Sequence, residues 1–157
     1  MSTLVNTSTI VISMDGYSIN GYEIKEMTML RLDGTYEHYL FRPRIPLAAL
    51  TPNQRKTVVY TTRHLSGLRW DDGELPYGMI HQLLNRISPG TQVICHGTLA
   101  RDFLTRTLPQ GVSVRDTATE NKHFPAIMGN EGHLCGKAHN PRYCSLVKGQ
   151  FILSHFI

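Results

Sequence analysis

Four side chains of metal-binding type follow one another late in the sequence: His123, Cys135, His139 and Cys144, spaced H-x11-C-x3-H-x4-C. Thiolate and imidazole are the donors zinc prefers, and four of them make a closed tetrahedral structural site. The stretch between Phe124 and Tyr143 holds little apolar material, so a bound ion would supply ordering free energy that packing cannot. Cys135, His139 and Cys144 are the core of the expected set, with His123 as fourth ligand and His133 and Glu120 as competitors. His133 lies two residues from Cys135 and would close an awkward chelate, which favours the more distant His123. The alternative is an unliganded loop of thiols and surface imidazoles. Cys95, inside the apolar run Val93-Ile-Cys95, reads as a core thiol.

Carboxylates form the second candidate group. Asp15 follows a short β-branched run, where an α/β sheet often places a metal-binding acid, and Asp71, Asp72 and Glu74 cluster in a glycine-bounded loop. Two-ion phosphodiester chemistry needs several carboxylates converging on ions ~4 Å apart, which a lone Asp15 cannot provide. The loop acids read instead as favourable charges at the N-terminus of a helix beginning near Leu75. Nucleophilic dyads are discounted. Cys95 and His96, adjacent on a strand, point to opposite faces, and a zinc-bound His139 could not serve Ser145 as a base.

These residues must be positioned by a chain of 157 residues, the length of one domain spanning 1–157. With 41% hydrophobic and 18% charged residues it is too apolar for disorder. It has neither a bilayer-length apolar run nor a signal-peptide pattern at Met1–Gly16. Three cysteines make no complete disulfide framework, so the expectation is a soluble protein of a reducing cytoplasmic or nuclear compartment, with no membrane partner. The net charge of +4 permits nucleic-acid binding without demanding it, and eight histidines point toward metal.

Thr9–Ser13 reads as a buried strand ending in an Asp15-Gly16 turn. Glu23–Leu32 and Thr35–Phe41 form a hairpin about Asp33-Gly34. Thr51-Pro52 starts a helix running to about Leu65, and Leu75–Ile87 carries helical spacing. Gln92–His96 is a strand, Leu99–Leu108 a helix, Val112–Val114 a strand and Cys144–His155 a last helix. The order β-β-β-α-α-β-α-β-loop-α predicts an α/β fold in which three antiparallel strands and then parallel strands form one mixed sheet flanked by helices.

In sequence order, Ile10–Asp15, the segment Gly21–Gly34 and His38–Pro43 resemble the first motif and hairpin of DEDD-type 3′–5′ exonucleases, which have the RNase H-like fold. Val93–Leu104 resembles their second motif. The segment Gly132–His139 with Cys144-Ser-Leu146 is similar to the zinc-carrying branch, which includes the exonuclease domain of arenavirus nucleoproteins, the MAEL domain of Maelstrom and related insect and viral domains. The resemblance spans nearly the whole chain and implies an RNase H-like sheet with a structural zinc.

Against the family pattern, Asp-x-Glu is replaced by Asp15-Gly16-Tyr17. The second aspartate falls at about Ala100, and Asp102 is turned to another side of its helix. The last histidine and aspartate become Tyr143 and Lys148. Asp15 is thus vestigial, no catalytic Mg²⁺ or Mn²⁺ is expected, and Lys148 is expected to pair with Asp15.

The implied function is a catalytically inactive module binding RNA or a protein, such as an RNA-silencing or viral nucleoprotein factor. Arg101, Arg142 and Lys148 would contact phosphates, and Tyr17, Trp70 or Tyr77 bases, with core packing favoured for Trp70. The alternative is a metal-dependent ribonuclease using Asp15, Asp71, Asp72 and Glu74 in a rearranged site.

Overall fold

A computed structural model describes residues 8–19, 22–63, 68–119 and 144–156. Six strands form one mixed sheet: β1 (Thr9–Ser18), β2 (Tyr22–Arg31), β3 (Tyr36–Arg42), β4 (Leu75–Pro76), β5 (Gln92–Cys95) and β6 (Ser113–Asp116). Their order is β4-β3-β2-β1-β5-β6. β1, β2 and β3 pair antiparallel, whereas β5 runs parallel to β1 and β6 parallel to β5. Helices α1 (Pro52–Thr61), α2 (Met79–Asn85), α3 (Thr98–Thr107) and α4 (Ser145–Phe156) flank this α/β sheet. Among the described residues, no helix is long and apolar enough to cross a membrane.

The strands bury both faces. In β2 every residue from Glu23 to Leu30 is buried, so the alternation visible in its sequence does not mean one wet side. One face carries Ile12, Met14, Met27, Met29 and Val93 against Ile80, Leu83, Leu84 and Leu104. The other carries Val11, Leu30 and Ile94 against Ile152 of α4. A third cluster of Tyr17, Ile19, Leu50, Val58 and Trp70 seats α1. That helix starts as expected: the Thr51 side chain accepts from Gln54 N–H, Gln54 returns a bond to Thr51 N–H, and Pro52 opens the first turn.

Two expectations are corrected. Asp15-Gly16 is not a turn: β1 runs on to Ser18 through a β-bulge in which Asp15 and Gly16 oppose Glu26 and Ile24, leaving Lys25 as the extra residue. A Cβ on Gly16 would lie 2.1 Å from Glu23 O, so the glycine serves close backbone approach. Gly16→Ala is expected to destabilise the fold by about 1–3 kcal/mol, read as a lower urea midpoint at unchanged m-value. The second helix also begins at Met79, not Leu75, because Leu75 and Pro76 extend beside Phe41 and Arg42 as β4. Proline biases its predecessor toward extended backbone. The acids Asp71, Asp72 and Glu74 therefore do not cap α2.

Candidate metal centre and the seam beneath the last helix

Helix α4 meets the sheet through Ser145, Lys148, Gly149 and Ile152, the i, i+3, i+4, i+7 stripe of one helix face. Gly149 permits the approach, since a Cβ there would stand 3.4 Å from Ser13 Cβ and 3.7 Å from Leu30 Cδ2. Beneath the first turn the register aligns Asp15 with Glu26 and Leu40, and Ser13 with Thr28 and His38, on the face that α4 covers. The usual apolar contact is here a polar seam.

Its centre is Glu26, whose side chain is fully buried. One carboxylate oxygen accepts from Ser145 N–H at 2.6 Å and the other lies 2.8 Å from His38 Nε2. The Ser145 hydroxyl is 2.7 Å from Thr28 Oγ1. Cys144 is buried beside them, and one donor atom each from Glu26, His38 and Cys144 lie within 4.8 Å of one another. Ligand atoms around tetrahedral zinc stand about 3.5 Å apart, so the widest separation would close by little more than about 1 Å while Glu26 Oε2 and His38 Nε2, now 2.8 Å apart, would open slightly. Carboxylate, imidazole and thiolate suit zinc. The set fits a metal.

Of the four ligands expected from the sequence, Cys144 is thus placed in a metal-capable group. His123, Cys135 and His139 lie outside the described residues, as do the competitors Glu120 and His133 and the cation Arg142. Glu26 and His38 were not anticipated. The available signal was an acid embedded in the buried run from Ile24 to Leu30.

Lys148, one turn further along α4, reaches the end of β1. Its Nζ donates to Met14 O at 2.9 Å and stands 4.0 Å from Asp15 Oδ1, the pairing expected from the sequence. Asp15 Oδ1 also accepts from Gly16 N–H at 3.0 Å. Tyr17, at the glutamate position of the family pattern, is buried, donates to Leu68 O at 2.7 Å and packs edge-on to Trp70. Tyr77 is buried as well, its hydroxyl accepting from Ile24 N–H and its ring lying under Arg44. Tyr17 and Tyr77 are therefore core residues, which corrects the expectation that they stack on bases and follows from their hydroxyls and rings finding partners inside, while Trp70 packs in the core as favoured. Ala100 is buried, and Asp102 is exposed on α3.

At the ends of β5 and β6 stands a second polar group. Asp116 is buried and its Oδ1 accepts from Gly97 N–H at 2.8 Å and Ala118 N–H at 2.9 Å, pinning the entry to α3. Arg101 Nη1 lies 3.7 Å from its Oδ2. His96 Nδ1 is 2.8 Å from Thr117 Oγ1. Burial lowers the His96 pKa, Asp116 opposes that, and Lys148 adds to it, so its imidazole is neutral at neutral pH. Asp71 and Asp72 precede β4, which β3 and β2 separate from β1 and Asp15.

Burial, with Asp116 nearby, pushes the Cys95 thiol up to about 12, consistent with a core thiol. Native protein at pH 8 is expected to leave Cys95 unmodified by iodoacetamide, while urea-unfolded protein alkylates it fully by peptide mass.

No family model, curated protein or solved structure matches this chain.

Proposed function

We propose that this chain is an RNA-binding module on an RNase H-like scaffold, stapled by structural zinc and deprived of its catalytic ions. The observation that carries it is Lys148. An ammonium donating to Met14 O and facing Asp15 at 4.0 Å neutralises the one acid retained from the family pattern. A divalent ion there would meet like charge in a partly buried setting. The other family positions hold the buried Tyr17 and Ala100, which offer no carboxylate.

For the zinc, Glu26 and Cys144 would supply one side, and Cys135 and His139 from the tail the other. His38, hydrogen-bonded to Glu26, then orients the carboxylate from outside the shell or replaces a tail ligand. His123 takes its expected place only where Glu26 stays out of the shell. The ion, when bound, supplies cross-linking of the tail to the sheet, not chemistry.

Lys148 and Arg101, with side chains 22% and 40% exposed, place cations beside Met14 and Asp15 of β1 and beside Asp116 at the end of β6. Phosphate is the ligand that suits them.

The test pairs a titration of labelled single-stranded RNA at two salt concentrations with a cleavage assay in Mg²⁺ and Mn²⁺. The expected result is salt-dependent binding without cleavage, with Lys148→Ala lowering the salt slope by about 0.7. Metal-dependent cleavage abolished by Asp15→Ala would establish a rearranged nuclease instead. Absence of RNA binding at low salt would leave a protein partner.

A further inference from the structure

The face of α1 that turns away from the core combines basic side chains with exposed apolar ones. Val58 anchors the helix, buried against Tyr17 and Trp70. Around the other side run Arg55, Lys56, Val59, Tyr60 and Arg63, spaced so that Lys56 and Tyr60, Arg55 and Val59, and Val59 and Arg63 are i, i+4 neighbours. Residues 51–63 contain no acid. Tyr60 is 59% exposed and Val59 46%, two of the few large apolar side chains left in water. With Pro52 these residues line a shallow cleft of about 500 Å³.

Two features make the surface ordered as well as basic. The Arg55 guanidinium donates to Leu50 O at 2.8 Å and to Ala48 O at 3.4 Å, which fixes its direction at the helix start. Arg63 and Val59 also border a second cleft that continues toward Arg69 and ends at Asp71 and Asp72.

We propose that this face of α1 holds a short stretch of single-stranded nucleic acid, with one base stacked on Tyr60 and neighbouring phosphates on Arg55, Lys56 and Arg63. The inference rests on the RNA-binding reading above and moves the main contact away from the ends of β1 and β5. Charge complementarity selects an anionic partner, because three cations stand here without an acid among them. The exposed ring selects a nucleic acid over an acidic peptide, since a base offers a π-face while an acidic side chain does not. A duplex keeps its bases stacked on each other, so a protruding ring favours a single strand. One aromatic and three cations cover about three or four nucleotides.

Fluorescence anisotropy with a short labelled oligouridylate tests this. The substituted side chains of α1 are at the surface, and unchanged thermal unfolding verifies that the variants fold. Tyr60→Ala is expected to raise the Kd about 5–160-fold with the salt slope unchanged, and Tyr60→Phe to restore it. Lys56→Gln combined with Arg63→Gln is expected to lower the salt slope by about 1.4. A labelled polyglutamate peptide is expected not to bind. Equal affinity for polyglutamate, or an unchanged Kd in Tyr60→Ala, overturns the proposal. If Arg101→Gln and Lys148→Ala abolish RNA binding while the α1 variants do not, this surface is wrong and the RNA reading stands. If no RNA binds at low salt, both fall.

Discussion

Glu26→Gln is expected to lower the zinc content of the protein and to destabilise the fold by about 1–3 kcal/mol, the range for leaving a buried hydrogen-bonding group without its partner. The substitution is nearly isosteric, so packing is held constant. A glutamine oxygen can still accept from Ser145 N–H, now 2.6 Å from the carboxylate. Its amide nitrogen, however, then replaces the acceptor oxygen 2.8 Å from His38 Nε2, and a neutral amide is a far poorer zinc ligand than a carboxylate. Thr28→Val supplies the scale: it removes a single hydroxyl contact to Ser145 and is expected to cost about 1 kcal/mol. Urea denaturation and elemental metal analysis read the two quantities separately. Chelator should lower wild-type stability toward that of Glu26→Gln, because binding free energy at such a site is folding free energy. A variant with wild-type stability and a full complement of zinc would remove Glu26 from the centre.

What the sequence told and what it hid divides along physical lines. Strands and helices follow local signals: the Asp33-Gly34 hairpin, the Thr51/Gln54 capping box and the apolar spacing of α2 and α3 all lie where residues within a few positions dictate them. The mixed sheet follows from the element order. Asp15-Gly16 misled because a glycine needed for close approach to Glu23 O looks, in one dimension, like a glycine needed for a turn. Leu75 misled because helical spacing outweighed the proline beside it.

The candidate metal centre was legible only at Cys144. Glu26 and His38 belong to strands whose alternation places them on the face a half-buried hairpin would leave wet. That face is dry because α4, more than a hundred residues later in the chain, folds over it. No local pattern carries that information. Lys148 was legible for a different reason: the resemblance puts this lysine beside Asp15, and a cation and an acid brought together in a partly buried place pair.

Stability should rise between pH 8 and pH 10.5 in wild type relative to Lys25→Met. Lys25 is the extra residue of the β-bulge, 3% exposed, with its Nζ donating to Trp70 O at 2.8 Å and Phe41 O at 3.0 Å. Burial lowers its pKa from 10.5 to about 8, with Asp72 and Asp71 pulling back toward the charged form. Between those values the unfolded chain binds more protons than the folded one, so stability increases with pH by up to about 1.4 kcal/mol per unit. It is lost again as pH falls toward 8 and is flat below. Across the window the contribution is about 3 kcal/mol.

Wild type alone does not display this, because Cys95 and Tyr22 are shifted upward by burial and their linkage runs the other way. The difference from Lys25→Met isolates the amine. That variant leaves the carbonyls of Phe41 and Trp70 without their ammonium donor, at about 1–3 kcal/mol each. It also relieves the burial of a cation, so near pH 7 the two effects partly offset. Wild-type stability minus that of the variant should then increase with rising pH, measured by urea denaturation at each pH. A difference that decreases would mean that the two carbonyls hold the ammonium more firmly than burial expels it, and Lys25 would be a stabilised cation.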